Sequence, residues 1–575
     1  MAEYEVRFDS HPEPIRVPAG TLLVEVAQQA GIEIQQPCGG QGRCGRCAVI
    51  VESGQVRRRS ILRLSKADVE AGYALACQTV IEGDASITVP PPEAIQRRLT
   101  TDHIAPEAAI PEGYDASRAQ SVRRVEIQLT PPSMDDQTDD WGRLCASFRR
   151  ETGVERLNAS LDQIRQLGAT LRSSDWHVAL TFDTGQNGEA RLIRTQPADA
   201  AADTPLCGLA IDIGTTTVTV WMVDLLTGQV MRQASEYNQQ IARGEDVISR
   251  IIYASKGNGG TELREMVLGS INGQIQTACE RAKLATDDIV KATITGNSTM
   301  MVLLLGIPAD IDVGIAMNSA GVVDPLPGVA SYVGADITAG VLSSELRSSD
   351  DLTLFIDAIE EVWIDGGTYE PDCRVIGNVA ARGICGSGLI SLVAEMFLTG
   401  LLDKGGNINE TLDTPRVRRG RHGPEYVIAW AAESDGAEDI VIARVDIDNL
   451  LRAKAAIYAG FIVLANSVGV PLETAERVLI GGSFGKYINV EKAVQIGLLP
   501  DMPWERFHFL GNTSVKGAYL ALIDSAARDE IAEIASAMTY IELSADNTFY
   551  EAFTSALFLP HTDLSRFPSV EAAMA

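Results

Sequence analysis

Four of the nine cysteines lie near the amino end of the chain with a spacing that suits a metal cluster, as Cys38, Cys44, Cys47 and Cys77. Five residues separate the first pair, two separate the next pair, and 29 separate the last pair. Four thiolates hold a 2Fe–2S cluster, and the distant Cys77 must then come from a different element. Zinc is the alternative, because four thiolates also bind zinc. Zinc ribbons usually carry two C-x2-C pairs, however, and this stretch has one, so the spacing predicts an iron–sulfur centre.

A second group of residues that could bind a ligand lies at the end of an apolar strand pattern and in the turn after it, in LAIDIGTTTV. Gly214 permits a tight turn there. The hydroxyls of Thr215, Thr216 and Thr217, together with the N–H groups of the turn, could cradle phosphates. Asp212 could hold a magnesium ion through water. The alternative is an ordinary β-hairpin with a buried aspartate.

A third group stands far downstream, in VLIGGSFG, where glycines let the backbone approach a flat ring such as adenine. Its candidate residues are Gly481, Gly482, Ser483 and Gly485. Two further glycine-rich turns lie between, at 295–300 and 383–390, and the second runs into an apolar helix pattern, SLVAEMF. Four such turns in this order, each beside an apolar element, favour a nucleotide-binding region.

The elements that must position these residues fall into several domains, because 575 residues exceed what one core usually serves. Residues 1–92 show short alternating strands, and a proline run ends them. Residues 93–120 are predicted to be a linker. Residues 121–203 predict a small α+β unit, with helices around 138–151 and 158–173. A longer α/β region occupies 204–575.

Charge and hydropathy exclude several classes of protein. The chain has 77 acidic and 48 basic residues, a net charge of -29. A nucleic-acid binder needs a basic face, and anionic lipid likewise attracts basic segments, so neither partner is expected. No run of 18 apolar residues marks a membrane span. The first residues also lack the order of a signal peptide, and we expect a cytoplasmic protein.

Known families resemble these segments. Residues 1–95 resemble 2Fe–2S ferredoxins of the adrenodoxin type, through PCGGQGRCGRCAVIV and LACQ. The region from 204 resembles the actin, sugar-kinase and heat-shock-chaperone ATPase (ASKHA) superfamily, with DIGTTT as its first phosphate motif and GGSFG as its adenosine motif. The whole chain resembles the reductive activators of corrinoid enzymes, with further matches in TGNSTMMVLLLG, GICGSGLI, AKAAIYAG, GLLP and GNTSVKGA.

The resemblance implies a multidomain α/β and α+β fold: a β-grasp ferredoxin domain, a small α+β middle domain and an actin-like ASKHA domain. It implies an ATP-dependent enzyme that passes one electron from its cluster to the Co(II) corrinoid of a methyltransferase system, such as one for O-demethylation, restoring Co(I). ATP with magnesium would bind at the two turns, with Asp212 catalytic. The implied partners are a corrinoid protein, an upstream low-potential electron donor and a second copy in a homodimer.

The chain departs from this family after Asp357. Members carry a second phosphate motif, DIGTNGE, whereas here the strand pattern of 352–357 runs directly into Ala358, as if a long segment were missing. An alternative function is therefore a ferredoxin-like electron carrier with a non-hydrolysing ASKHA docking scaffold. A kinase-like enzyme with an appended redox sensor is a further alternative, although neither a substrate pocket nor a general base is identifiable.

Two smaller features have ordinary and functional interpretations. The run Arg57–Arg59 is either a solvated turn or a docking patch for an acidic partner or for the acidic C-terminal region. Cys385 lies inside a glycine-rich turn, but a small buried residue explains it. The other scattered cysteines are interpreted as core or surface residues.

Overall fold

A computed structural model shows three successive units, of which the first two have one sheet each and the third has several. It describes residues 3–11, 13–32, 34, 47–60, 64, 66–90, 110–111, 113–184, 189–202, 204–244, 247–307, 358–376, 379–420, 423–434, 439–482, 488–537, 541, 543 and 547–574.

The first unit is a five-stranded mixed sheet with a helix packed on it, the β-grasp arrangement. Its elements are β1 Glu3–Phe8, β2 Ile15–Pro18, α1 Leu23–Gln29, β3 Ala48–Arg58, α2 Lys66–Glu70, β4 Tyr73–Leu75 and β5 Thr79–Thr88. The strand order is β2-β1-β5-β3-β4, and only the β1–β5 pair is parallel. Leu23 and Val26 of α1 share a buried core with Val6, Ile81 and Ile87 of the sheet. Among the residues that the structure describes, none beyond position 89 belongs to this core, so the unit has a core of its own.

The second unit is a four-stranded sheet of order β6-β8-β9-β7 with two long and two short helices. Its elements are α3 Ala116–Ala119, β6 Val122–Gln128, α4 Asp140–Thr152, β7 Arg156–Asn158, α5 Leu161–Ser173, β8 His177–Thr184, β9 Glu189–Pro197 and α6 Ala198–Ala202. Asp139 caps α4, and Ser160 forms a capping box with Gln163 at the start of α5. The two predicted helices are therefore present, each starting two or three residues later than expected.

The third unit begins with a four-stranded sheet of order β12-β11-β10-β13. Its elements are β10 Cys207–Ile213, β11 Thr217–Asp224, β12 Val230–Tyr237, α7 Val247–Ala254, α8 Gly259–Ala282, β13 Ile289–Gly296 and α9 Ser298–Leu305. Every residue of β10 is buried, which a strand covered on both faces requires. The β10–β11 hairpin is the one predicted from LAIDIGTTTV.

The remainder of the third unit starts at Ala358. Asp357, after which a segment is predicted to be missing, lies outside the described residues. Its strands are β14 Ala358–Ile364, β15 Pro371–Val375, β16 Gly383–Ile384, β17 Val417–Gly420, β18 Gly423–Ala429, β19 Ile440–Ala443, β20 Val478–Gly481 and β21 Phe507–Gly511. Its helices are α10 Gly386–Leu398, α11 Arg444–Ser467, α12 Val490–Gln495, α13 Thr513–Ile523, α14 Ser525–Ala537, α15 Asn547–Ala556 and α16 Pro568–Met574. None of the helices described by the structure has the length and apolar character needed to cross a membrane.

The glycine-rich segment at 383–390 is a helix start rather than a turn. Helix α10 begins at Gly386 and includes Gly388. A Cβ on Gly388 would clash with the carbonyl oxygen of Ile359 in β14. The glycine is therefore needed for close packing of this helix on the strand.

Helix α13 joins the two parts of the third unit. It follows β21 directly, yet its buried side chains Val515, Ala518 and Leu522 share a core with Ala210 of β10 and Trp221 of β11. The sheet built from residues 207–296 thus receives part of its cover from a helix more than 200 residues later in the chain.

A partly buried lysine lies where the second unit meets the third. Lys291 Nζ donates to Ser121 Oγ at 3.0 Å and to the carbonyl of Leu522 at 3.3 Å. Arg528 Nη2 donates to the same Ser121 hydroxyl at 3.1 Å. Burial, and secondarily the charge of Arg528, lower the pKa of Lys291 to about 8.

This lysine should make stability depend on pH. An unfolded lysine titrates near about 10.4. Between about pH 8 and 10 the unfolded chain therefore binds more protons than the folded chain, and the free energy of unfolding rises with pH. Relative to Lys291→Met, we expect the wild-type protein to gain about 2 to 3 kcal/mol between pH 7 and 10, measured by urea unfolding. The matched control is Lys283→Met, at an exposed lysine. Equal pH dependence in wild type and Lys291→Met would contradict the prediction.

Candidate functional site

Two of the four predicted ligand cysteines are described, and the structure brings them together. Cys47 directly precedes β3, whereas Cys77 lies in the 3-10 turn between β4 and β5. Their Sγ atoms are 3.2 Å apart, and both residues are buried. A disulfide would require about 2.05 Å, so these are two thiol groups in contact. Cys38 and Cys44 lie outside the described residues.

The backbone around these thiols is fixed by hydrogen bonds. The N–H of Ala76 donates to the carbonyl of Cys47 at 2.9 Å, and Thr79 Oγ1 donates to the carbonyl of Leu75 at 2.8 Å. Two thiolates delivered side by side from different elements fit one tetrahedral metal, and the soft sulfur donors suit iron in a cluster. The donor set therefore fits the predicted group.

The arginine run beside this site is largely structural. Arg58 donates to the carbonyls of Tyr73 and Gly72, at 3.0 and 3.2 Å, and so fastens β3 to the strand that leads into Cys77. Arg57 forms an ion pair with Glu82 at 2.5 Å. Arg59 is exposed. The predicted docking patch would therefore depend mainly on Arg59 and remains a prediction.

The carbonyl groups of the β10–β11 turn all point into the protein. Asn238 holds two of them, through Nδ2 to Gly214 at 3.0 Å and through its backbone N–H to Thr216 at 2.8 Å. Arg250 Nη2 donates to the carbonyl of Thr215. In a trans peptide the C=O and the next N–H point in opposite directions. The N–H groups of Thr215 and Thr216 are therefore turned away from the protein, as in a nest that binds anions.

The turn itself requires glycine. The N–H of Gly214 donates to the carbonyl of Thr217 at 2.8 Å, and a Cβ on Gly214 would lie 2.7 Å from that oxygen. A larger residue would open this bond, and the nest depends on the tight turn that the bond closes.

Two asparagines at helix starts contact the turn from either side. Asn297 precedes α9 and donates from Nδ2 to Thr215 Oγ1 at 3.1 Å. Asn512 precedes α13 and donates from Nδ2 to Asp212 Oδ2 at 2.8 Å. Each also caps its helix by accepting a backbone N–H through Oδ1. Both asparagines thus fix a candidate phosphate or magnesium residue to a helix terminus.

The second glycine-rich turn lies beside Asn512. Strands β20 and β21 are parallel, so their carboxyl ends meet. The N–H of Gly482 donates to the carbonyl of Gly511 at 2.7 Å, and Gly482 has φ +94, which favours glycine. A Cβ on Gly481 would lie 2.8 Å from Thr513 Oγ1. The end of β10 that contains Asp212 and the end of β20 that contains Gly481 are therefore neighbours. Ser483 and Gly485 lie outside the described residues.

Four residues of this site had no role predicted from the sequence: Asn238, Arg250, Asn297 and Asn512. A signal for two of them was present. The segments TGNST and LGNTS each place Gly-Asn and two hydroxyl residues between a strand and a helix. Nothing comparable marks Asn238 and Arg250, whose contacts depend on how β12 and α7 lie beneath the turn.

The contacts of the scattered cysteines give no indication, in the part of the chain that the structure describes, that they bind metal. Burial raises the pKa of Cys207 and of Cys373 to about 11, so their thiols stay protonated at neutral pH and are poor ligands. Cys385 is buried, with Sγ 3.0 Å from Ser387 Oγ. Within the described ranges, no group of three or more His, Cys, Asp or Glu side chains is arranged to hold a metal.

Comparison with known proteins places each unit in a family. The model of the 2Fe-2S iron-sulfur cluster binding domain matches residues 7–82, that of the RACo linker region 114–202, that of the RACo middle region 207–311, and that of the C-terminal domain of RACo, the ASKHA domain, 355–571. A solved structure titled "Reductive activator for corrinoid,iron-sulfur protein" is 37% identical, covers 99% of this chain and 100% of its own, and has a TM-score of 0.66. The chain belongs to the family of reductive activators of corrinoid proteins. The predicted fold class and the predicted 2Fe–2S cofactor are thereby confirmed.

A curated relative agrees with this family. "Corrinoid activation enzyme RamQ" of Eubacterium limosum is 28% identical over 626 aligned positions, covering 95% of this chain and 98% of that protein. The alignment is longer than the 575 residues of this chain, so RamQ has segments without a counterpart here.

Proposed function

We propose that the protein delivers single electrons to the Co(II) corrinoid of a methyltransferase system and so restores Co(I), with ATP binding coupled to delivery. The observation that carries the proposal is the contact between the buried Sγ atoms of Cys47 and Cys77, in a chain that also builds an anion nest. A thiolate pair for an electron carrier and a phosphate site are the two parts that such an activator requires.

The four cysteines have distinct tasks. Cys47 and Cys77 would ligate one iron, since their sulfurs already meet, and Cys38 and Cys44 would ligate the other. A 2Fe–2S cluster held by these cysteines would supply a one-electron store between an upstream low-potential donor and the Co(II) corrinoid of the partner. Burial of the two described cysteines keeps water away from that pair of ligands.

Nucleotide binding would help to overcome an unfavourable potential. Ferredoxin-type clusters have potentials near about -400 mV, and each 100 mV of shortfall costs about 2.3 kcal/mol per electron. The outward N–H groups of Thr215 and Thr216 would bind phosphate oxygens, and Asp212 would hold magnesium through water. Gly481, Gly482, Ser483 and Gly485 would contact adenine, with the hydroxyl of Thr217 beside the phosphates.

The separate core of the first unit supports movement as a rigid body. Because that core draws no residue from the other units, the unit can change position without unfolding. We propose that the part of the predicted linker 93–120 that precedes α3 lets it move between its electron donor and the corrinoid protein, since α3 itself belongs to the second unit. We also propose that the protein forms a homodimer, because ASKHA proteins often form dimers.

One observation favours a second candidate, a carrier with a non-hydrolysing scaffold. The β14–β15 hairpin contains Asp365-Gly366-Gly367-Thr368, which superficially resembles a phosphate motif. Its carboxylate is already engaged, because Asp365 Oδ1 accepts from the N–H groups of Gly367 and Thr368 and from the Thr368 hydroxyl, at 2.7 to 3.1 Å. This turn is therefore closed on itself and does not serve as a second phosphate site.

Titration of the reduced protein tests both candidates. Anaerobically reduced, iron-loaded protein is mixed with a Co(II) corrinoid protein of a methyltransferase system, with and without Mg-ATP, and electron paramagnetic resonance follows both metals. We expect Co(II) to disappear as the cluster is oxidised, and Mg-ATP to increase the yield with release of phosphate. Equal yields without phosphate release would favour the scaffold. Unchanged Co(II) beside a fully reduced cluster would contradict both.

A further inference from the structure

A buried arginine lies directly beneath the phosphate turn, on helix α7. Arg250 is fully buried. Besides its bond to the Thr215 carbonyl, it donates from Nε to the carbonyl of Gly244 at 2.8 Å and from Nη1 to Gln240 Oε1 at 3.0 Å. A guanidinium held by several acceptors cannot shift without moving its helix. The position of Thr215 is therefore tied to the position of α7.

The same helix touches the iron–sulfur unit one turn later. Gln28 Nε2 of α1 donates to Tyr253 Oη at 3.5 Å, and Tyr253 donates in turn to Glu262 Oε2 at 2.6 Å. Burial and Glu262 raise the pKa of Tyr253 to about 12, so the phenol keeps its proton. A Cβ on Gly259 would clash with the backbone of Tyr253, which shows how closely α8 holds this residue.

A second set of contacts connects the phosphate turn to Tyr253, through α8 instead of α7. Gln240, which accepts from Arg250, donates from Nε2 to the carbonyl of Leu263 at 2.8 Å. The neighbouring Glu262 accepts from Arg243 Nε at 2.7 Å as well as from Tyr253. The start of α8 therefore receives contacts from both the phosphate turn and the docking tyrosine. The connection consists of hydrogen bonds that are joined through the backbones of α7 and α8, which is a physical basis for coupling.

On the other side of the contact, Gln28 belongs to the helix that supports a cluster ligand. Buried side chains of α1, including Ala27, share a core with Ala76 and Cys77. The docking contact and the cysteine thus lie in the same rigid body.

We propose that helix α7 couples nucleotide binding at the Thr215 turn to docking of the iron–sulfur unit, through Arg250 at one end and Tyr253 at the other. This inference rests on the proposed nucleotide site. The two states are the docked and undocked positions of the first unit, whose separate core permits both. Coupling is reciprocal: the factor by which bound nucleotide changes docking equals the factor by which docking changes nucleotide affinity.

Hydrogen exchange of the full-length, iron-loaded protein tests the coupling, with Mg-ADPNP as the ligand. In the wild type we expect the nucleotide to protect residues 213–217 and also to change exchange in α1 by about fivefold, within the usual range of coupling. In Tyr253→Phe we expect protection of 213–217 to persist while the response of α1 is lost. Tyr426→Phe, which removes a buried hydroxyl donating to the Tyr369 carbonyl, is the matched control and should respond like wild type.

Affinity measurements give the reciprocal readout. Gln28→Ala should change the dissociation constant for Mg-ADPNP by the same factor as the response of α1, whereas Gln29→Ala, at an exposed neighbour, should not. Protection of 213–217 without any response of α1 in the wild type would overturn the coupling and leave the proposed function standing. Absence of protection at 213–217 would overturn the nucleotide site and the coupling together.

Discussion

Cys77→Ser should leave the protein almost without iron. The thiolate is the metal ligand, and a serine hydroxyl stays neutral at neutral pH, so one iron would lose half of its protein ligands. We expect the iron content to fall from about two per chain to less than a tenth of that, with loss of visible absorbance and of the paramagnetic signal after reduction. Corrinoid activation should disappear with the iron.

Cys145→Ser is the matched control for this loss. Cys145 lies in α4 of the second unit, and burial raises the pKa of its thiol, so it is not expected to bind metal. Its variant should retain iron and activity. If Cys77→Ser kept both irons, or if the wild-type protein held zinc, the assignment of the cluster ligands would be wrong.

Asp212→Asn should selectively weaken binding of Mg-ATP. Asparagine keeps an oxygen that can accept the bond from Asn512, so the turn should keep its shape while the negative charge is removed. We expect affinity for Mg-ATP to fall about 10- to 100-fold, the effect of losing an interaction with a charged partner. Affinity for ATP in the presence of a chelator should fall much less, because Asp212 is proposed to act through magnesium.

A matched substitution separates this effect from a general loss of charge. Asp224 ends β11 and accepts from the N–H of Leu226 at 3.0 Å and from Thr227 Oγ1 at 2.9 Å, at the far end of the strand from the phosphate turn. Asp224→Asn should bind Mg-ATP normally, and both variants should keep their iron. Unchanged Mg-ATP affinity in Asp212→Asn would show that this carboxylate does not serve the nucleotide.

Local patterns in the sequence were sufficient for much of the fold. The β10–β11 hairpin and helices α4 and α5 follow from apolar periodicity, which short-range geometry determines. The exact helix starts were missed because Asp139 and Ser160 set them through individual capping bonds. The helix expected after the turn at 383–390 is present but starts already at Gly386, because glycine also serves where a helix and a strand come very close, as at Gly388.

The candidate site was only partly predictable, for the same physical reason. Asp212 could be selected from its place near the end of an apolar strand, but its partner Asn512 is 300 residues away. No sequence pattern marked Arg250. Its role depends on being buried beneath the β10–β11 turn, and the sequence does not show that α7 lies beneath that turn. Contacts between remote segments depend on tertiary packing, which local propensity does not specify.

The placement of helix α13 has a consequence for how the protein is made. The face of the sheet that Val515, Ala518 and Leu522 cover is complete once residue 296 has been synthesised, but its cover arrives with residues 513–523. At about 5 to 20 residues per second, the ribosome takes about 10 to 40 s to add the residues between. During that interval the nascent chain carries an uncovered apolar surface, and a chaperone that binds such surfaces would find its substrate there.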